Sequence, residues 1–250
     1  MTRALTRAAA AWWPFVLLLA LWQLAISAGH VQQIVAPSPA GVAAELARNP
    51  ALYAGEALAT LAVAAAGLVL GLAVACALAV ATWFSRFATG ALTLPALLVQ
   101  STPLVALLPV LARVLGYDVR TVIAAAALIT VFPSFVLIAA GLRALPSGVA
   151  ALAAALGASR RARLLLLAVP AAVPNALVAV RIAAPASVLA ALIAEYLIGT
   201  AGLGQLFAVA EGQLDTARAW TAALVATALS VAAYLLARRA ERVIGDRFRT

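Results

Sequence analysis

The chain has 250 residues, 66% hydrophobic and 10% charged, with a mean hydropathy of +1.11. That balance excludes a water-soluble globule and places the protein in a membrane. Its formal charge of +9 comes entirely from arginine on the basic side, and a single cysteine, Cys76, excludes a disulfide framework or a thiolate metal cluster.

Apolar runs bounded by charge or turn residues fall at 11–28, 57–83, 90–114, 121–142, 175–198 and 217–237. Each is close to the roughly 20 residues that cross a bilayer core, so six transmembrane helices are predicted. The first run follows Arg3 and Arg7 and could be read as a secretory leader. Its length, with Trp12, Trp13 and Trp22 near its ends, favours a retained, interface-anchored helix. An even number of spans puts both termini on one side. Arg3, Arg7, Arg86, Arg143, Arg160, Arg161, Arg163, Arg238, Arg239, Arg242, Arg247 and Arg249 then share that side, against Arg48, Arg113, Arg120 and Arg218 on the other. The bias predicts a multi-pass protein of the cell membrane with cytoplasmic termini. Arginines at membrane edges are explained by lipid, and no nucleic-acid partner is needed. No polar linker divides the chain. It reads as one all-α integral membrane domain over 1–250: a first helix and outer loop at 1–55, core helices at 56–238 and a tail at 239–250.

Several chemistries are excluded by residue inventory. His30 is the only histidine, which rules out a two-histidine zinc site or a bis-histidine haem within one chain. The absence of lysine means that Gly199-Thr200-Ala201-Gly202-Leu203-Gly204 is not a phosphate-binding loop. It reads as a turn on the outer side. No catalytic residue, metal site or cofactor is expected in this chain.

The segment 144–170 interrupts the apolar pattern with small residues, a glycine and three arginines. Pro146-Ser147 supplies a helix start, with Ser147 as the expected N-cap. A surface helix of about 10 to 15 residues follows. Ala151, Ala153 and Ala154 would let it seat deeply in a partner's groove, beside Leu156, and Gly157 would permit a bend or close backbone approach. Arg160, Arg161 and Arg163 would face lipid phosphates or acidic residues. A surface helix with no partner is the bland alternative.

This segment resembles the cytoplasmic signature of binding-protein-dependent ABC importer permeases: Glu-Ala-Ala, three residues, Gly, nine residues, Ile-x-Leu-Pro. Gly157 takes the glycine position and Leu167-Ala168-Val169-Pro170 the closing one, while Ala151-Leu152-Ala153 replaces the opening triplet and lacks its acid. The Pro37-Ser38-Pro39 turn, Gln100-Ser101-Thr102-Pro103-Leu104-Val105-Ala106-Leu107-Leu108-Pro109, Val180-Arg181-Ile182-Ala183 and Gly202-Leu203-Gly204 are similar to the nitrate, sulfonate, taurine and bicarbonate permeases. Leu214-Asp215-Thr216-Ala217-Arg218 is similar to permeases for the thiamine pyrimidine precursor. The resemblance implies a six-helix type I importer subunit with a coupling helix between the fourth and fifth spans. It further implies a second copy of the permease, two ATPase subunits that bind ATP and magnesium, and an extracytoplasmic solute-binding protein.

Polar residues inside the spans are candidates for a solute path, because ionisable groups in hydrocarbon cost several kcal/mol. Arg181 and Glu195 are 14 positions apart in the fifth span, which places them about 40° apart on one face and about 21 Å apart along it. They either line a route or snorkel to opposite interfaces. Gln100, Ser101, Thr102 and Ser134, near Pro103, Pro109 and Pro133, form an uncharged second set. A gradient-driven secondary transporter or channel using Glu195 as its ion site is the alternative function, and a membrane enzyme or assembly subunit is a third.

Overall fold

The computed structural model describes residues 13, 17, 18, 20–28 and 36–245. The first predicted span lies mostly outside these. Its described part is helical at 20–27, where Trp22 meets Trp220 with ring centroids 5.3 Å apart.

The Pro37-Ser38-Pro39 turn starts a helix that was not among the predicted spans, α1 (Pro39–Arg48). Ser38 Oγ accepts from the Gly41 N–H at 3.0 Å and Pro39 opens the first turn, so the serine caps an orphan donor and the proline costs none. Then follow α2 (Pro50–Phe84), α3 (Arg86–Ser101), α4 (Leu104–Leu115) and α5 (Val119–Leu142). After α6 (Ser147–Ala155) come α7 (Arg160–Ile198), α8 (Leu203–Gly212) and α9 (Thr216–Gly245). Among the described residues, four helices are long and apolar enough to cross a bilayer: α2, α5, α7 and α9.

The predicted third span, 90–114, is not one helix. The chain breaks at Ser101–Pro103 into α3 and α4. Proline lacks the N–H that would continue the ladder and disfavours helical geometry in the residue before it. The Ser101 and Thr102 hydroxyls both donate to the Leu98 carbonyl, each at 2.9 Å, near the end of α3. Apolar residues on both sides of the break hid it from a hydropathy reading.

The fifth span also differs, beginning at Arg160 rather than 175. Ser159 Oγ accepts from the Ala162 N–H at 3.2 Å to start it. Leu164–Ala168 then widens into a π-turn, with the Val169 N–H reaching the Leu164 carbonyl. Pro170, just beyond, would collide with an α-helical carbonyl four residues back, and the wider turn accommodates it. Likewise α9 continues to Gly245, past the boundary expected at 239.

The centre of the bundle is α5 packed between α2 and α7, with α9 laid on α7 and α8 on α9. One face of α2 carries Thr60, Ala64, Gly67, Gly71, Ala75, Ala79 and Thr82, all buried. Spaced three or four apart, these small residues form a stripe on which α5 lies almost backbone to backbone. A Cβ at Gly67 would meet Ala126 and the Ile123 carbonyl, and one at Gly71 would meet Thr130 and the Ala127 carbonyl. Between lipid-soluble helices, packing at this range supplies the attraction that the hydrophobic effect supplies in water.

Candidate functional site

Two regions stand apart from ordinary helix packing. The first is α6. Its predicted N-cap is displaced by one residue: Pro146 caps the helix, its carbonyl accepting from Val149 and Ala150, and Ser147 is the first helical position. At the other end the Ala158 N–H returns to the Ala153 carbonyl at 2.9 Å and the Gly157 N–H to the Ala154 carbonyl at 3.0 Å. This is a Schellman cap, and Gly157, at φ +77°, occupies the left-handed position that it requires. Nothing lies within 4 Å of where a Gly157 Cβ would be. The glycine therefore serves the helix end, and no close approach to the rest of this chain explains it.

The remaining docking candidates form an open surface. Ala151, Leu152, Ala154, Leu156, Arg160 and Arg161 are exposed, Ala153 and Arg163 are half-buried, and Pro170 is exposed on α7. Leu152 and Leu156 are 61% and 77% exposed. Among the described residues, no other helix packs extensively along α6. A helix of nine residues is too short to persist in water by propensity alone. A Schellman cap closes its C-terminal end, and its alanine and leucine face is left exposed.

The second region is the polar interior. Glu195 is fully buried within one copy of the bundle and does not extend to an interface. Its Oε2 accepts from Thr60 Oγ1 at 2.9 Å and from the Gly204 N–H at 3.0 Å. Thr60 Oγ1 in turn accepts from the Leu203 N–H at 2.9 Å, and Glu56 Oε2 accepts from the Gly202 N–H at 2.7 Å. Thus Glu56 and Thr60, one turn apart on α2, join Glu195 in holding the turn between α7 and α8. A Cβ on Gly202 would strike the Glu195 carboxylate, and one on Gly204 the Leu192 carbonyl. Gly202-Leu203-Gly204 is glycine-rich because a buried acid occupies the space. Glu56 and Thr60 were missed by the sequence reading, although their i, i+4 spacing was a visible signal.

Arg181 is likewise engaged, its Nη1 lying 3.0 Å from Glu241 Oε2 on α9. A partly buried ion pair satisfies the guanidinium where snorkelling would have been the alternative. Arg181 and Glu195 do share a face of α7, as their spacing required, but that face turns toward α2 and α9. Beside it, Ile182, Leu189 and Tyr196 are 46%, 58% and 41% exposed at seven-residue intervals. Ser134 is fully buried in α5, while Gln100, Ser101 and Thr102 are exposed at the α3–α4 break. The six path candidates are therefore not gathered around one cavity.

At the end of the bundle that carries α1 and α8, Glu45 is the hub. It accepts from Asn49 Nδ2 at 3.0 Å and Tyr53 Oη at 3.2 Å, and its Oε1 lies 3.5 Å from Arg218 Nε. Asp215 caps α9 by accepting from the Arg218 N–H at 3.1 Å, which gives the Leu214–Arg218 motif a local structural reason.

Long apolar helices around a small-residue seam, with one short helix standing off their end, fit a multi-pass membrane transport subunit. Residues 67–250 match the family described as the binding-protein-dependent transport system inner membrane component. The chain belongs to that family of ABC importer permeases. It is 29% identical over 218 residues to a probable ABC transporter permease protein of Haemophilus influenzae, covering 87% of this chain and 89% of that protein. It is 29% identical to the riboflavin transport system permease protein RibX of Chloroflexus aurantiacus, over 92% of this chain and 86% of that one. With the formylaminopyrimidine transport permease protein ThiX of Halalkalibacterium halodurans it shares 25% identity over 92% of each.

Proposed function

We propose that this chain forms the membrane pathway of an ATP-driven importer for a small solute, with α6 as the coupling helix that docks into a separate ATPase subunit. The observation that carries the docking role is an exposed α6 closed by a Schellman cap and, among the described residues, not packed along another helix. Two ATPase subunits, holding ATP and magnesium, would face two copies of the permease. Closure of the ATPases would move the α6 segments and, through the continuous α7, tilt the bundle between inward-open and outward-open states. Such a cycle requires that nucleotide and loaded binding protein each favour one state over the other.

The exposed Ile182, Leu189 and Tyr196 stripe supports a second copy, because a seven-residue repeat keeps one helix edge toward a neighbour. The pathway would then run between copies, which fits the absence of a polar cavity built from the path candidates of one copy. The formylaminopyrimidine and riboflavin relatives support a small heterocyclic solute as the cargo, delivered by an extracytoplasmic binding protein. A thiamine pyrimidine precursor is the reading we favour. The rival role of Glu195 as the ion site of a secondary transporter has less support, since its Oε2 is committed to Thr60 and Gly204, while its Oε1 is buried without a hydrogen-bond partner.

The test is co-purification of the tagged chain with its ATPase subunit in mild detergent, for the wild type and for Gly157→Trp. Capture by the wild type and loss in a variant that still elutes as a folded membrane protein is expected. If neither form brings an ATPase and the chain alone carries solute down an ion gradient in vesicles, the secondary-transporter reading replaces this one. Calorimetry of formylaminopyrimidine against the cognate binding protein tests the cargo separately.

A further inference from the structure

Where α2 ends, a cavity of about 640 Å³ lies between the start of α3, the end of α5 and the start of α7. Its walls are Thr82, Trp83, Phe84, Thr89 and three arginines, Arg143 just after α5 and Arg160 and Arg163 in the first turn of α7. No acidic side chain lines it. Among the described residues, none of the three arginines makes an ion pair.

Part of this charge has an internal use. Arg143 Nη2 donates to the Thr82 carbonyl at 3.4 Å and to Thr89 Oγ1 at 3.2 Å, and Arg160 Nη1 donates to the Phe84 carbonyl at 3.4 Å. Both carbonyls belong to the last turn of α2, where a helix end carries about half a negative charge. Three full positive charges face that half charge, so capping leaves most of the arginine charge unanswered. Arg163 adds a buried Nε with no hydrogen-bond partner. A guanidinium offers five donors in a planar fork suited to phosphate oxygens. The volume also lies in the range of small-ligand sites.

We infer that this cavity is a binding site for a phosphate group, which Arg143, Arg160 and Arg163 would hold together. Two sources share that chemistry: the headgroup of an acidic phospholipid and a free inorganic or organic phosphate. Trp83 in the wall and exposed Phe84 and Phe87 beside it fit the depth of a membrane interface, where aromatic rings sit at headgroup level. The site also bridges the two roots of α6: Arg143 lies four positions before it and Arg160 five after it. An occupied site would tie both ends of that helix to the end of α2.

The experiment is native mass spectrometry of the full-length chain released from nanodiscs of phosphatidylcholine mixed with phosphatidylglycerol. Wild type, Arg160→Gln/Arg163→Gln and the control Arg238→Gln, an exposed arginine of α9 outside the cavity lining, would be compared, with thermal unfolding recorded for each. If the double variant does not fold, Arg163→Gln alone replaces it, because its Nε makes no bond within the protein. Retained phosphatidylglycerol falling about tenfold in the cavity variant, but not in the control, supports the site with a lipid source. Wild type that keeps no phosphatidylglycerol but binds inorganic phosphate calorimetrically, with loss in the variant, supports it with a soluble source. Equal retention by wild type and cavity variant overturns it. So does binding of neither probe when the purified ATPase subunit alone shields these arginines from dicarbonyl labelling, since the occupant would then be a protein carboxylate.

Discussion

The two ends of this bundle handle charge in opposite ways. At the end bearing α1 and α8, Glu45, Glu56, Glu195 and Asp215 are bonded to backbone N–H groups, hydroxyls and Arg218, and the turn between α7 and α8 is pinned to α2. At the other end, Arg143, Arg160 and Arg163 surround a cavity and α6 projects from it. Most acceptors of the first end are met within the chain, although Glu195 Oε1 is buried there with no hydrogen-bond partner, whereas the three arginines of the second make no ion pair among the described residues. Under the proposed coupling to an ATPase, this division leaves one end held mainly by its own chain and the other available to a partner.

The comparison can be broken first at the closed end. Gly204→Val should produce the largest effect, because its side chain meets the Leu192 carbonyl and the Tyr196 N, which cannot rotate away. Overpacking of about 1–3 kcal/mol, with more when backbone must shift, predicts a sharp loss of folded protein on size exclusion after detergent extraction. Next, Glu195→Ala strands the Thr60 hydroxyl and the Gly204 N–H, a cost of about 1–3 kcal/mol. Glu195→Gln keeps an acceptor oxygen and should recover much of the lost melting temperature. Equal melting of the two variants would show that the hydrogen bonds of Glu195 do not hold this end.

At the open end the same class of change should separate folding from assembly. Gly157→Ala places a Cβ at φ +77° with free space around it, so about 1–2 kcal/mol of backbone strain is the whole local cost. Thermal unfolding should shift modestly while ATPase capture falls, the reverse of what is expected for Glu195→Ala. The smallest effect is expected for Arg181→Ala, which removes a partly exposed ion pair worth about 0.5–1 kcal/mol. A large loss of transport with unchanged melting in that variant would restore Arg181 to the solute path.

Much of this contrast was legible in the residues. Capping chemistry is local, so Ser38 and Pro39, and the helix that ends before Gly157, follow from neighbouring side chains. The shared face of Arg181 and Glu195 follows from helical geometry alone. Which way that face turns does not, because Thr60 lies 135 positions from Glu195 in the chain and only the assembled bundle brings them together. The break at Ser101–Pro103 escaped for another reason: hydropathy counts apolar residues and is blind to the N–H that proline lacks. The paired glycines of α2 carried no charge or motif that a search for chemistry would select, yet they set the closest helix contact of the core.

The π-turn at Leu164–Ala168 has an angular consequence. It fits one residue more into its turn than an α-helix would, so side chains before it are about 100° out of phase with those after it. Arg160 and Arg163, on its N-terminal side, line the cavity with that offset in place. Removing one of the four leucines restores ordinary phase and is expected to turn both arginines by about 100° about the helix axis relative to Val169–Ile198.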